Sequence, residues 1–193
     1  MRLLLLARHG QSLFNVDDLV NGDPARDRGL SPLGEQQAAR LAGQLAGHTI
    51  DLCVVSEFPR AQQTASIALA GQEVPQAVDP ELNDIRIGEL EGQTLDQYHE
   101  WKRGRTRDDP FPAGESLNDA ARRYANAYER ILRRQDSTIL VVCHEIPVRY
   151  AINAVAGSDD LDGPQHDVAN ATPYVFDEAG LRRALDRIRE LAG

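Results

Sequence analysis

Four side chains of two types carry the chemical promise of this chain: Arg8, His9, Arg60 and His144. Arg8 and His9 follow the aliphatic run LLLLA, Arg60 lies four residues past the run LCVVS, and His144 directly follows ILVVC. A guanidinium offers a planar fork of donors matched to phosphate or carboxylate oxygens, and an imidazole carries either a proton or a free lone pair near neutral pH. Two arginines and two histidines converging on one crevice describe an anion site, with phosphate its natural occupant. A single strand-end histidine or arginine would be an ordinary structural residue; the joint placement gives the signal.

The elements that must position these groups are an alternation of strands and helices. The apolar runs at residues 3–7, 52–56 and 139–143 read as buried strands, with weaker candidates at 74–78 and 174–176. Helical patterns follow them. Ser31 and Pro32 pair an N-cap with a first-turn proline, and further helices are expected over residues 59–69, 116–135 and 147–155, with Ser116 a cap. Residues 181–191 fit a strand, a helix or both, while 17–29, 104–114 and 157–171 read as loops. Such alternation implies an α/β fold with a largely parallel sheet, and ligands of such sheets sit beyond the carboxyl ends of the strands. Three of the strong runs end there in the polar residues named above.

Composition narrows the partners. The chain of 193 residues is 41% hydrophobic, enough for one domain (1–193) with a real core. A net charge of -9 argues against nucleic acid or a membrane surface as a general partner, since both are polyanionic. Cys53 and Cys143 fall within apolar runs and are expected as buried, reduced thiols, and no signal-peptide pattern precedes RHG, so a cytoplasmic location is expected.

The ordered segments RHGQSLFN, LSPLGEQQA, SEFPRAQQTA, LNDIRIGELEG, AGES and CHEIPVR, between residues 8 and 149, resemble the motifs of the histidine phosphatase (phosphoglycerate mutase-like) superfamily. RHG alone is a weak signal; six motifs in order are a strong one. The resemblance implies a three-layer α/β/α sandwich and a phosphomonoesterase acting on a small phosphorylated metabolite without metal or other cofactor. It implies His9 as nucleophile, phosphorylated in turn, with Arg8, Arg60 and His144 on the phosphoryl oxygens and Asn15 as a further phosphate donor. The other ring nitrogen of His9 is expected to be held by a backbone carbonyl, and Gly10 to keep the turn clear of the phosphate. A phosphoglycerate mutase-type phosphotransferase and a binding module that kept the pocket but lost turnover are the alternatives.

Two positions depart from the family pattern. Asp84 stands where glutamate is usual and is expected to serve as the proton donor, with Glu81 and Glu89 in reserve. Glu145 stands where glycine is usual, either as an anion at a helix entrance or as a charge that pairs with Arg149 or an incoming cationic substrate group, or trims affinity for highly anionic substrates. Residues 94–116 are expected to form a lid, whose Lys102, Arg103, Arg105 and Arg107 are either a solvated helix face or a cluster that meets a second anion. The mutases tend to have longer insertions here, which favours hydrolysis.

Overall fold

The computed structural model describes all 193 residues. Five strands form one sheet in the order β3-β2-β4-β1-β5, comprising β1 (Leu3–Arg8), β2 (Leu52–Val55), β3 (Gln76–Val78), β4 (Thr138–Cys143) and β5 (Pro173–Asp177). The first four are parallel to their neighbours, and only β5 runs antiparallel, against β1. Successive side chains of a strand point to opposite faces, so an unbroken apolar run requires cover on both. Leu4, Leu6, Val54, Ile139 and Val141 enter the larger core, shared with α5 (Leu117–Leu132), α6 (Glu145–Val155) and α7 (Glu178–Ala192). Leu5, Ala7, Cys53, Val55, Leu140 and Val142 enter the other core, under α2 (Pro32–Leu45) and α3 (Pro59–Ala68). The result is the three-layer α/β/α sandwich, with Cys53 and Cys143 buried and unpaired.

The helix starts follow local chemistry. Ser31 accepts from the Gly34 amide ahead of Pro32, and Ser116 forms a reciprocal capping box with Asp119 at the head of α5. The third start lies earlier than expected: α6 begins at Glu145, with His144 as its N-cap, because a proline is tolerated throughout a first helical turn. The ambiguous C-terminal stretch is entirely helical in α7, its Leu181, Ala184, Leu185 and Ile188 lying on one buried face. Two short helices, α1 (Leu13–Val16) and α4 (Leu95–Lys102), arise in stretches that showed no clear pattern.

β1 and β4 are adjacent and in register, with Arg8 opposite Cys143. Their carboxyl ends therefore deliver Arg8, His9 and His144 side by side, and the His9 amide donates to the Cys143 carbonyl at 2.9 Å. Gly10 then passes close under α2: a Cβ there would meet the Gly34 carbonyl oxygen at 2.5 Å. Backbone approach to a helix is by itself enough to exclude a side chain at this position.

Candidate active site

The floor of the site is built on His9, which is 3% exposed. Its Nδ1 lies 2.6 Å from the Gly10 carbonyl oxygen, so Nδ1 carries the proton and Nε2 keeps its lone pair. Arg60, on the first turn of α3, donates from Nε to His9 Nε2 at 3.0 Å. Burial, reinforced by the charges of Arg60 and Arg8, holds the His9 imidazole well below its ordinary pKa. The ring is thus neutral at physiological pH, as a nucleophile must be.

Arg60 is the hub. Its guanidinium also reaches the Asn21 side-chain oxygen, Asp27 Oδ1 at 3.3 Å, Asp84 Oδ2 at 3.2 Å and His144 Nδ1 at 3.2 Å. It lies over the Phe58 ring at 4.2 Å, a flat apolar bed for a flat cation. Asp27 holds it from behind, its Oδ2 accepting from the Arg60 amide at 2.8 Å, and the Asp27 side chain has no exposed surface. Neither Asn21 nor Asp27 stood out in the sequence, because both lie in the irregular segment at 17–29, where only the folded path brings them beneath α3.

His144 is fully buried and faces His9 edge-on with ring centroids 5.3 Å apart. Its Nε2 is paired with the Ser56 hydroxyl at 2.8 Å, which leaves Nδ1 directed at the Arg60 guanidinium and, at 3.5 Å, at Asp84 Oδ2. A hydroxyl can donate or accept, so Ser56 supports either neutral tautomer of the ring. Burial first, and Arg60 second, depress the pKa of His144 well below the usual imidazole value.

Asp84 completes the cluster. Burial pushes its carboxyl above the usual carboxylate range, against the opposing pull of Arg60. The loop that carries it is bolted by Arg123, which donates to the carbonyl oxygens of Glu81 at 2.8 Å, Asn83 at 2.9 Å and Asp84 at 3.2 Å. Glu115, 3% exposed, pairs with that guanidinium and accepts from the Arg86 amide at 3.0 Å. The glutamate of AGES is therefore a brace for the Asp84 loop. Removing the charge of Arg123 leaves the buried Glu115 with only the exposed Arg86 guanidinium, at 3.1 Å, as a cationic partner, and Arg123→Met is expected to cost about 2 kcal/mol or more of stability, measurable by urea unfolding. Glu81 instead pairs with Arg130 at 2.9 Å and Glu89 is exposed, so neither belongs to the site.

Two expectations take a different form in the structure. Asn15, which lines the cavity, spends its side-chain oxygen on the Ser12 amide at 3.0 Å, in a capping box that opens α1, which leaves its NH₂ as the group able to donate. The anion site is also not a bare cluster of cations. Glu145 reaches Arg8 Nη1 at 2.7 Å and Arg149 Nη1 at 2.9 Å while occupying the first position of α6, where the helix dipole favours an anion.

Above this floor opens a cavity of about 630 Å³. One face of α4 lines it with Leu95, Tyr98, His99 and Lys102, an i, i+3, i+4, i+7 set. Trp101 turns inward and stacks on the buried Phe111 at 4.2 Å, anchoring the helix. Of the basic cluster only Lys102 lines the cavity: Arg103 pairs with Glu100, Arg105 lies over Trp101, and Arg107 pairs with Asp162.

Comparison with known proteins agrees with this architecture. Residues 4–190 match the family model described as histidine phosphatase superfamily, branch 1. A 2,3-bisphosphoglycerate-dependent phosphoglycerate mutase of Methylobacterium sp. (strain 4-46) is 34% identical over 192 residues, covering 91% of this chain and 90% of the relative. Among solved structures, a putative alpha-ribazole-5'-P phosphatase from Escherichia coli K-12 superposes with a TM-score of 0.78 at 26% identity, covering 91% of this chain and 90% of that one. A mycobacterial glucosyl-3-phosphoglycerate phosphatase, solved with VO3, gives a TM-score of 0.73 at 26% identity, with 91% and 92% covered. The sandwich, the paired strand ends and the match over nearly the whole length place this chain in the histidine phosphatase superfamily, branch 1.

Proposed function

We propose that the protein is a phosphatase that hydrolyses phosphomonoesters of small molecules through a phosphohistidine formed on His9 Nε2. The observation that carries this reading is the pairing of a neutral, Nδ1-protonated His9 with a raised-pKa Asp84 around a single guanidinium. In the first step phosphate oxygens take over the Arg60 donors and free the Nε2 lone pair, which attacks phosphorus as the ester P–O bond breaks. Asp84 gives its proton to the departing oxygen. The positive charge that develops on the phosphorylated ring is spread toward Nδ1–H, where the Gly10 carbonyl accepts it at 2.6 Å. In the second step the Asp84 carboxylate takes a proton from water, the water oxygen attacks phosphorus, the P–N bond breaks, and His9 returns to its neutral form. Arg8, Arg60 and His144 hold the equatorial oxygens, and Asn15 NH₂ adds a donor, so most of the catalysis is positioning and charge stabilisation.

The activity for which the mutase relatives are named supports a second reading, in which the phosphoryl group returns to another hydroxyl instead of to water. The two share the phosphohistidine and differ in acceptor. Phosphorus NMR of the protein with phenylpropyl phosphate and, separately, with 3-phosphoglycerate and a trace of 2,3-bisphosphoglycerate separates them. Release of inorganic phosphate from the first ester, faster than any interconversion of the phosphoglycerates, is expected; interconversion faster than release would replace hydrolysis by the mutase reading.

A further inference from the structure

Hydrocarbon makes up part of the cavity lining beyond the two arginines. Leu19, Val20 and the edges of the buried Ile85, Ile87 and Ile146 contribute to it together with α4, whose Leu95 is left 39% exposed. Tyr98, half-buried, contributes a ring stacked on Phe111 at 5.4 Å. A leaving group of aliphatic or aromatic character would cover this surface; a small polyol or hydroxy acid would leave it wet.

The charges of the cavity cancel. Arg8, Arg60, Lys102 and Arg149 line it, and against them stand Asp84, Glu145, Asp162 and Asp167. The cancellation is local as well as global. Glu145 bridges Arg8 and Arg149, and Asp162 takes the second Arg149 nitrogen at 2.9 Å, so Arg149 is already shared between two carboxylates. Lys102 leans over the Tyr98 ring, its ammonium 5.5 Å from the centroid. Four cations against four carboxylates leave no net charge, or one positive charge when Asp84 carries the proton that its proposed role as acid requires, and a single phosphate dianion more than consumes it. A second anionic group on the substrate would meet Glu145 and Asp162 with no uncommitted arginine and only the Lys102 ammonium to offset them, and repulsion inside a partly desolvated cavity is strong.

We propose that the site takes monophosphate esters whose leaving group is uncharged and largely apolar, and that Glu145 is the specificity residue that turns away a second anion. This rests on the reading of the cavity as a phosphomonoester site. Binding of two phosphonates of matched length, phenylpropylphosphonate and carboxypropylphosphonate, tests it by calorimetry without any need for turnover. The wild type is expected to hold the phenyl ligand about tenfold tighter or more, from ring burial alone. Glu145→Gln is expected to narrow that ratio by about fivefold, through gained affinity for the carboxylate ligand. Leu95→Ala is expected to narrow it by about threefold from the other side, through lost apolar contact. Equal or inverted wild-type preference, failure of both ligands to bind, or a ratio untouched by Glu145→Gln would each overturn the proposal. Hydrolysis of phenylpropyl phosphate is measured alongside: no turnover with the binding preference intact would bring down the phosphatase reading and leave the selectivity standing.

Discussion

His9→Ala is expected to lower kcat/KM on any phosphomonoester by roughly 10⁴-fold, while the protein stays folded and still binds inorganic phosphate. The size follows from the loss of the covalent route: with no imidazole, water must attack directly, and only the positioning by Arg8, Arg60 and His144 remains. The fold should survive because the backbone at this residue is held independently of the side chain. The His9 amide donates to the Cys143 carbonyl at 2.9 Å and its carbonyl accepts from Asn170 at 2.8 Å. Arg60 keeps its contacts with Asp27, Asn21 and Phe58, so the phosphate clamp is retained. Calorimetric titration with phosphate alongside the kinetics separates a lost nucleophile from a collapsed site. A variant that turns over within tenfold of wild type would remove His9 from the reaction.

Asp84→Asn is expected to slow hydrolysis of an alkyl phosphate by about 10²-fold or more and that of a nitrophenyl phosphate far less, because a nitrophenolate leaves without a proton. The same carboxyl sets the pH dependence. Its pKa is raised by burial, and the protonated form is the one that acts on the leaving group, so alkyl phosphate hydrolysis should fall as pH rises through that raised value. On the acid side the rate should hold until His9 begins to be protonated, well below the ordinary 6.5. The active window is therefore displaced toward acid pH, and its alkaline limb should vanish in Asp84→Asn. An unchanged alkyl rate, or an alkaline limb that persists in the variant, would assign the proton to another group.

Strand ends and helix caps account for how much of this was legible in the sequence. LLLLA and ILVVC could only be strands buried on both faces, and once they pair in parallel, Arg8 and His144 must emerge together. Ser31-Pro32 and Ser116 marked helix starts through chemistry confined to a few residues. The supports of the site left no such trace. Asp27 and Asn21 reach Arg60 across 33 and 39 residues of chain, and Arg123 grips the Asp84 loop from 39 residues away, so their roles exist only in the tertiary path. The short α4 was hidden for a different reason: only Tyr98 and Trp101 pack inward against the core while Leu95 stays exposed, and a helix that packs this little gives a weak pattern. Glu145 showed as an oddity of charge in the sequence, and in the fold one carboxylate both opens α6 and pairs with Arg8 and Arg149.

The central claim is the phosphohistidine. During steady hydrolysis of a radiolabelled alkyl phosphate, quenching in alkali, which preserves phosphohistidine, followed by peptide mapping tests it directly. Label is expected on the peptide holding His9, attached at Nε2, lost on incubation with water at a rate at least equal to turnover, and absent from His9→Ala. An enzyme that hydrolyses the ester at full rate with no label on His9 at any time would contradict it.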